Sequence, residues 1–172
     1  MHEKFTFDIQ APKIKKKKLI LVKSASENRE HVALKLMAFM LFYDPRLMIE
    51  IQIGTHYKPD LVIEGNGTQP ELWIDCGYVA VKKATSLAQK LKTTRLVFFK
   101  ETRSEARNFS HLLGKRDEGT DRIEFVSFEN RFIADLAAHF NKVNEVTLYE
   151  TTETAVGVAL NEDVFETEIY RD

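Results

Sequence analysis

Two aspartates carry the chemistry of this sequence: Asp60, in Lys58-Pro59-Asp60, and Asp75, in Glu71-Leu72-Trp73-Ile74-Asp75-Cys76-Gly77. Strand alternation puts Glu71, Trp73 and Asp75 on one face of the second segment and Leu72, Ile74 and Cys76 on the other. A carboxylate inside so apolar a strand is costly unless it is paired or binds a metal. Two carboxylates brought together across neighbouring strands raise one another's pKa, or bind a divalent cation and stay ionised. A plainer reading stands beside this one, with Asp60 a turn acid after its proline and Asp75 a cap for the next helix. Other chemistries lack their residues. The single cysteine, Cys76, excludes a zinc finger, a CxxC redox site and an internal disulfide. His31 and His56 lack zinc-ligand spacing, and no GxGxxG, P-loop or serine elbow occurs; Gly65-Asn66-Gly67 is a turn.

The elements that must position the pair follow from patterning. Phe5 to Ile9 and Leu19 to Val22 read as a β-hairpin across Ala11 to Lys16. Ser24-Ala25-Ser26 opens a helix running to about Tyr43, where Asp44-Pro45 ends it; Val32 to Phe42 is apolar almost all round, as in a buried helix. Three short strands follow, Leu47 to Ile53, Asp60 to Glu64 and Glu71 to Cys76, the last two joined at Glu64-Gly65-Asn66-Gly67 by an Asn-Gly hairpin turn. Val79 to Leu91 has helical period, and Arg95 to Phe99 is a continuous apolar strand of the kind buried in mid-sheet. A helix over Ser104 to Leu113, a strand over Ile123 to Phe128 and a helix over Asn130 to Asn141 come next. Strands at Val146 to Tyr149, Ala155 to Leu160 and Val164 to Tyr170 close the chain. The expected fold is α/β (α+β), a mixed sheet flanked by helices, with αβββαβ order in the middle.

That order, with Pro59-Asp60, the hairpin and Asp75, resembles the PD-(D/E)xK nuclease superfamily and its restriction-endonuclease-like core. Within it the chain is most similar to the YaeQ family of small bacterial proteins. The resemblance rests on Ser26-Glu27 and Ala38-Phe39 in the first helix, Pro59-Asp60-Leu61 and the Glu71 to Gly77 segment. It covers residues 4–100 closely and the C-terminal third by length and element order. It implies a Mg²⁺ (or Mn²⁺) site on Asp60 and Asp75 that activates water for cleavage of DNA or RNA phosphodiesters. It also implies a glutamate from the first helix. Glu27 and Glu30 share a face near its N-terminus, and because Ser24-x-x-Glu27 also fits a capping box, Glu30 is the preferred acid. The superfamily lysine falls at Gly77, which can neither orient water nor offset phosphate charge. Lys82 or Lys83 reaching in from the next helix is the substitute, and since the two point about 100° apart, at most one serves. The competing implication of Gly77 is a catalytically silent nuclease fold that binds nucleic acid or a protein.

The 172 residues suit one domain, with the N-terminal hairpin at about 4–23 and an α/β extension at about 101–172. A hydrophobic fraction of 44% with 30% charged residues is globular composition, and it excludes disorder, collagen and coiled coil. Lysine and arginine number 25 against 26 acids, so a wholly basic nucleic-acid binder is excluded while a local basic face is not. The run Lys13, Lys15, Lys16, Lys17, Lys18 reads first as a solvated hairpin or an edge-strand guard, and only second as a phosphate contact. No apolar run spans a bilayer and MHEKFTFDIQ is no signal peptide, so the expected location is cytoplasmic, without membrane partners.

Overall fold

Why the chain builds its sheet as it does starts with the N-terminal hairpin, which the computed structural model describes along with the rest of residues 2–114 and 119–172. Strands β1 (Glu3–Ala11) and β2 (Ile14–Lys23) turn at Pro12-Lys13 and place Phe5, Phe7, Ile9, Leu19 and Leu21 on one buried face. The connection is tighter than the expected loop because both strands run on past their apolar residues. Helix α1 (Arg29–Leu41) buries every residue from Val32 to Met40, Lys35 included. It begins later than the serines suggest. Asn28 is its N-cap, the side chain accepting from His31 N at 2.9 Å, while Ser24 to Glu27 form a preceding turn.

Strand β3 (Met48–Ile49) is far shorter than the apolar stretch around it, since Glu50 turns the chain with φ +52°. It pairs antiparallel with β4 (Leu61–Ile63), which pairs antiparallel with β5 (Leu72–Cys76). Glu71 N donates to Ile63 O, so the β4–β5 connection spans residues 64–71 instead of closing at Asn66-Gly67. Helix α2 (Val81–Lys90), strand β6 (Arg95–Thr102), helix α3 (Arg103–Leu113), β7 (Glu124–Phe128) and α4 (Phe132–Ala138) follow. Then come β8 (Val143–Thr151), β9 (Ala155–Leu160) and β10 (Asp163–Arg171).

The strands form one ten-stranded mixed sheet in the order β2-β1-β8-β9-β10-β7-β6-β5-β4-β3. β1 runs parallel to β8, and β5, β6 and β7 run parallel to one another. This is a mixed α+β fold. α1 and α4 pack on one face against Leu72, Ile74 and Cys76, and α2 and α3 on the other against Trp73, Leu96 and Phe98. The alternation expected along β5 is therefore the partition between two cores. β2 is an edge strand with Lys15 to Lys18 exposed, so the lysine run lies where it blocks sheet-to-sheet pairing. Among the described residues no helix is long and apolar enough to cross a membrane.

Candidate functional site

β4 and β5 bring the two aspartates together at one end of their ladder. Asp60 N donates to Ile74 O at 3.1 Å and to Asp75 Oδ1 at 3.3 Å, and Asp60 Oδ2 accepts from Cys76 N at 2.7 Å. Asp75 Oδ2 accepts from Trp73 Nε1 and from Lys83 Nζ, each at 3.0 Å. Only 2% of Asp75 is exposed. Burial first, and then the neighbouring Asp60 charge, push its carboxyl above the usual range against the pull of Lys83. Neither plain role holds alone: the N-cap position of α2 is Ala80, with no side-chain cap from Asp75 or any other residue, and Asp60 makes more than a local turn.

Of the two lysines, Lys83 enters the site and also lies 5.7 Å from the Tyr57 ring centroid, whereas Lys82 is exposed. Of the two glutamates, Glu27 faces the site and Glu30 does not, which corrects the expected preference. The reason is local. Because α1 starts at Arg29, Glu27 sits in the turn before it, and its Oε1 accepts from Ser24 N at 3.0 Å as the capping pattern requires. Its other oxygen remains for the site: Oε2 lies 2.6 Å from His31 Nδ1 and 2.9 Å from Lys35 Nζ, contacts of charge more than aligned hydrogen bonds. Burial would raise the Glu27 carboxyl, but Lys35 and the Ser24 N–H outweigh it and hold it at about 2. Glu30 instead acts on Glu101.

Three further residues complete the constellation. His31 bridges Glu27 and Asp60, its Nε2 3.3 Å from Asp60 Oδ2. Burial would lower its pKa, yet Asp60 and Glu27 raise it. Lys35, only 1% exposed, joins Glu27 to Glu50, and those carboxylates raise its pKa in spite of burial. The signal for Lys35 was in the sequence, as the lone charge in an apolar helix. Glu50 gave none, since its positive φ and reach depend on the tertiary structure. The result is a chain of charges through the sheet: Glu50, Lys35, Glu27, His31, Asp60, Asp75, Lys83. When His31 is protonated, signs alternate along it except where Asp60 meets Asp75.

An open cleft of about 680 Å³ borders this chain, lined on one side by Glu27, His31 and Leu34 and on the other by Gly77, Tyr78, Lys100 and Phe109. It lies at the carboxyl ends of the parallel strands β5 and β6, where open α/β sheets commonly bind ligands. Whether the carboxylates suit a divalent cation turns on their free lone pairs. Asp75 Oδ2 is taken by Trp73 and Lys83, Asp75 Oδ1 by a single long contact, and Asp60 through Oδ2. The described residues hold no cluster of three or more ligating side chains. Mg²⁺ binds through one or two carboxylates completed by water and substrate phosphate, so the donor chemistry suits that ion when it is shared with a substrate.

Two solved structures share the fold over nearly the whole chain. A YaeQ protein from Xanthomonas axonopodis pv. citri matches with TM-score 0.72 and 17% identity, covering 99% of this chain and 96% of that one. A YaeQ protein from Pseudomonas syringae matches with TM-score 0.77 and 14% identity, covering 99% and 94%. No curated protein matches the sequence. The YaeQ protein family model matches residues 7–169, and with the fold agreeing end to end, the chain belongs to the YaeQ family.

Proposed function

We propose that the site is nuclease-like and acts on DNA or RNA phosphodiesters with Mg²⁺ or Mn²⁺ held by Asp60 and Asp75. One observation carries this reading: Asp60 lies against Asp75 and its charge helps to raise the Asp75 carboxyl, a repulsion that a cation bound by the two would relieve. The bound ion would supply Lewis acidity toward a phosphate oxygen and a more acidic water. The protein's own groups do the rest. Lys83 supplies at Asp75 the positive charge that Gly77 cannot, arriving from the following helix. Glu27, fixed by Lys35 and Ser24, holds the His31 ring with Nδ1 toward itself and Nε2 toward Asp60. That arrangement orients Asp60 and places an imidazole at the wall of the cleft.

The test is cleavage of labelled single- and double-stranded DNA and RNA in Mg²⁺ and in Mn²⁺, comparing wild type with Asp60→Asn and Asp75→Asn. Metal-dependent cleavage that both variants abolish is expected. A folded wild-type protein that cuts none of the four substrates at millimolar metal refutes the catalytic reading. The second reading, a silent nuclease fold that binds nucleic acid or a protein, is favoured by the 2% exposure of Asp75 with Lys83 already against it. It predicts no metal-dependent heat in calorimetry and retained oligonucleotide or partner binding.

A further inference from the structure

Lys100 belongs to neither the sequence motif nor the charge chain, yet its place in the sheet is telling. β5 and β6 pair in parallel with Asp75 beside Phe98 and Cys76 beside Phe99, and Gly77 N donates to Phe99 O at 2.9 Å. One step further sets Lys100 beside Gly77. Alternation puts Lys100 on the same face as Leu96 and Phe98, the face that Trp73 and Asp75 share. Lys100 therefore stands directly across the ladder from the position where the motif calls for a lysine and this chain has glycine.

Lys100 is only 5% exposed. It donates to the Gly77 carbonyl and lies 4.4 Å from the centroid of the Phe109 ring, and it makes no ion pair among the described residues. A buried ammonium with no carboxylate paired to it is expensive, and burial lowers it to about 8 although the Glu105 and Asp75 charges pull the other way. It is still mostly protonated at neutral pH. Lys100 lines the cleft, whose volume of about 680 Å³ suits a ligand the size of a nucleotide. The apolar and aromatic part of the lining is Leu34, Phe109, Leu112 and Tyr78, the last 92% exposed. Three carboxylates, Glu27, Glu101 and Glu105, also line the cleft. They oppose a run of phosphates, which leaves a ligand with a single phosphate on a flat body as the one that fits.

We infer that this cleft is a mononucleotide subsite, in which Lys100 contacts a phosphate and Tyr78 and Phe109 offer faces to its base. The inference rests on the phosphodiester reading of the neighbouring carboxylates and assigns the strand-recognition part of that site. An amine–phosphate contact is a charge-assisted hydrogen bond, and base stacking on an aromatic ring is sequence-tolerant.

The experiment is fluorescence anisotropy of a labelled single-stranded DNA decamer and its RNA equivalent, in EDTA at low salt, with the full chain. Lys100→Met is expected to raise Kd about tenfold or more and Tyr78→Ala severalfold, with melting temperatures no lower than wild type. Removing a buried charge and an exposed ring should not unfold the protein, so a loss of binding reads as lost contact. Binding of both decamers unchanged in both variants overturns the inference, as does a folded wild type that binds neither. Failure of the two readings is separable. Lys100-dependent binding by a protein that cuts nothing upholds the subsite and refutes catalysis. Asp60-dependent cleavage with decamer binding indifferent to Lys100 and Tyr78 refutes the subsite alone.

Discussion

Replacing Lys35 by methionine tests whether the charge chain is built as described. Met keeps most of the volume of this 1%-exposed side chain and removes only its charge. In the wild type, burial works to raise Glu27, but Lys35 and Ser24 hold it at about 2 against an ordinary 4.5. At about 1.4 kcal/mol per unit that shift sets a ceiling near 3 kcal/mol, and the 18% exposure of the Glu27 side chain brings it to about 2. Since the folded value lies below the unfolded one, this stabilisation is complete above about pH 4.5 and is lost as pH falls through about 2. In the variant, burial of Glu27 is opposed by Ser24 without Lys35, and its carboxyl rises. Breaking a fully buried pair costs about 3–5 kcal/mol. Here Glu27 and Glu50 keep 18% and 32% of their side chains in water, so about 2–3 kcal/mol is expected at pH 7. At pH 3 the variant's Glu27 takes a proton and the deficit should fall to about half or less. Urea denaturation followed by circular dichroism at the two pH values reads both quantities. Adding Glu27→Gln to Lys35→Met should return about 1 kcal/mol at pH 7, because it removes the stranded charge. A deficit equal at pH 7 and pH 3, or strictly additive losses in the double variant, would refute the reasoning.

Three other outcomes follow from single contacts. Gly77→Lys, which writes the motif lysine back into the strand, should fold with a loss of about 1–2 kcal/mol by thermal melt. Its φ of +75° is left-handed while its new Cβ meets His31 and Leu34 only at 3.7 and 3.9 Å. Cys76 is buried and its thiol is pushed well above the usual value by burial and by Asp60 and Asp75. Ellman's reagent at pH 8 should find no reactive thiol in the native protein and one per chain in guanidinium. Gly157→Ala should cost about 1–3 kcal/mol in chemical denaturation and shift the Tyr149 fluorescence, because the added Cβ would lie 2.6 Å from the ring.

Most of the fold was legible because the apolar periods change cleanly from two to 3.6 along the chain. β9 spans Ala155–Leu160 as read, and β5 divides its faces between two cores as its alternation demands. The misreadings share one cause, side chains that settle boundaries through contacts formed only in the folded state. Asn28 takes the cap that Ser24 seemed to offer. Glu50, in a left-handed conformation and paired with Lys35, ends β3 in a stretch whose composition favours a longer strand. In the site, the nearness of Asp60 to Asp75 was open to sequence reasoning because spacing along strands constrains it, whereas helical spacing said only that Lys82 and Lys83 diverge, and the fold turns Lys83 toward Asp75. The sequence leaned to Glu30 because the capping pattern claimed Glu27, but one carboxylate has two oxygens, and Glu27 caps with one while the other turns toward His31 and Lys35. Lys100 was invisible for another reason. Its significance lies in the parallel register that sets it beside Gly77, and no pattern within β6 encodes the pairing of β5 with β6.

The junction of Asp60 with Asp75 can be neutralised in two ways, and they differ in what Lys83 does. In one, Lys83 is the permanent counter-ion: it holds Asp75 ionised, and together with Trp73 it fills Oδ2. In the other, Lys83 stands where a divalent cation comes to rest when a phosphate brings the remaining ligands. Its 21% exposure and the Tyr57 ring beneath it give it a place to withdraw to without entering bulk solvent. Lys83→Met separates them. For a permanent counter-ion, the variant strands a buried carboxylate, which takes up a proton, and Mn²⁺ measured by calorimetry stays unbound at millimolar concentration. For a displaceable one, removing the competing ammonium raises Mn²⁺ affinity by about tenfold or more, the equivalent of about 1.4 kcal/mol of lost competition. Cleavage then falls, since the charge that offsets the phosphate is gone. Tighter metal with weaker chemistry is an outcome a purely structural ion pair does not produce, and Mn²⁺ binding no tighter in the variant than in wild type would rule out the displaceable lysine.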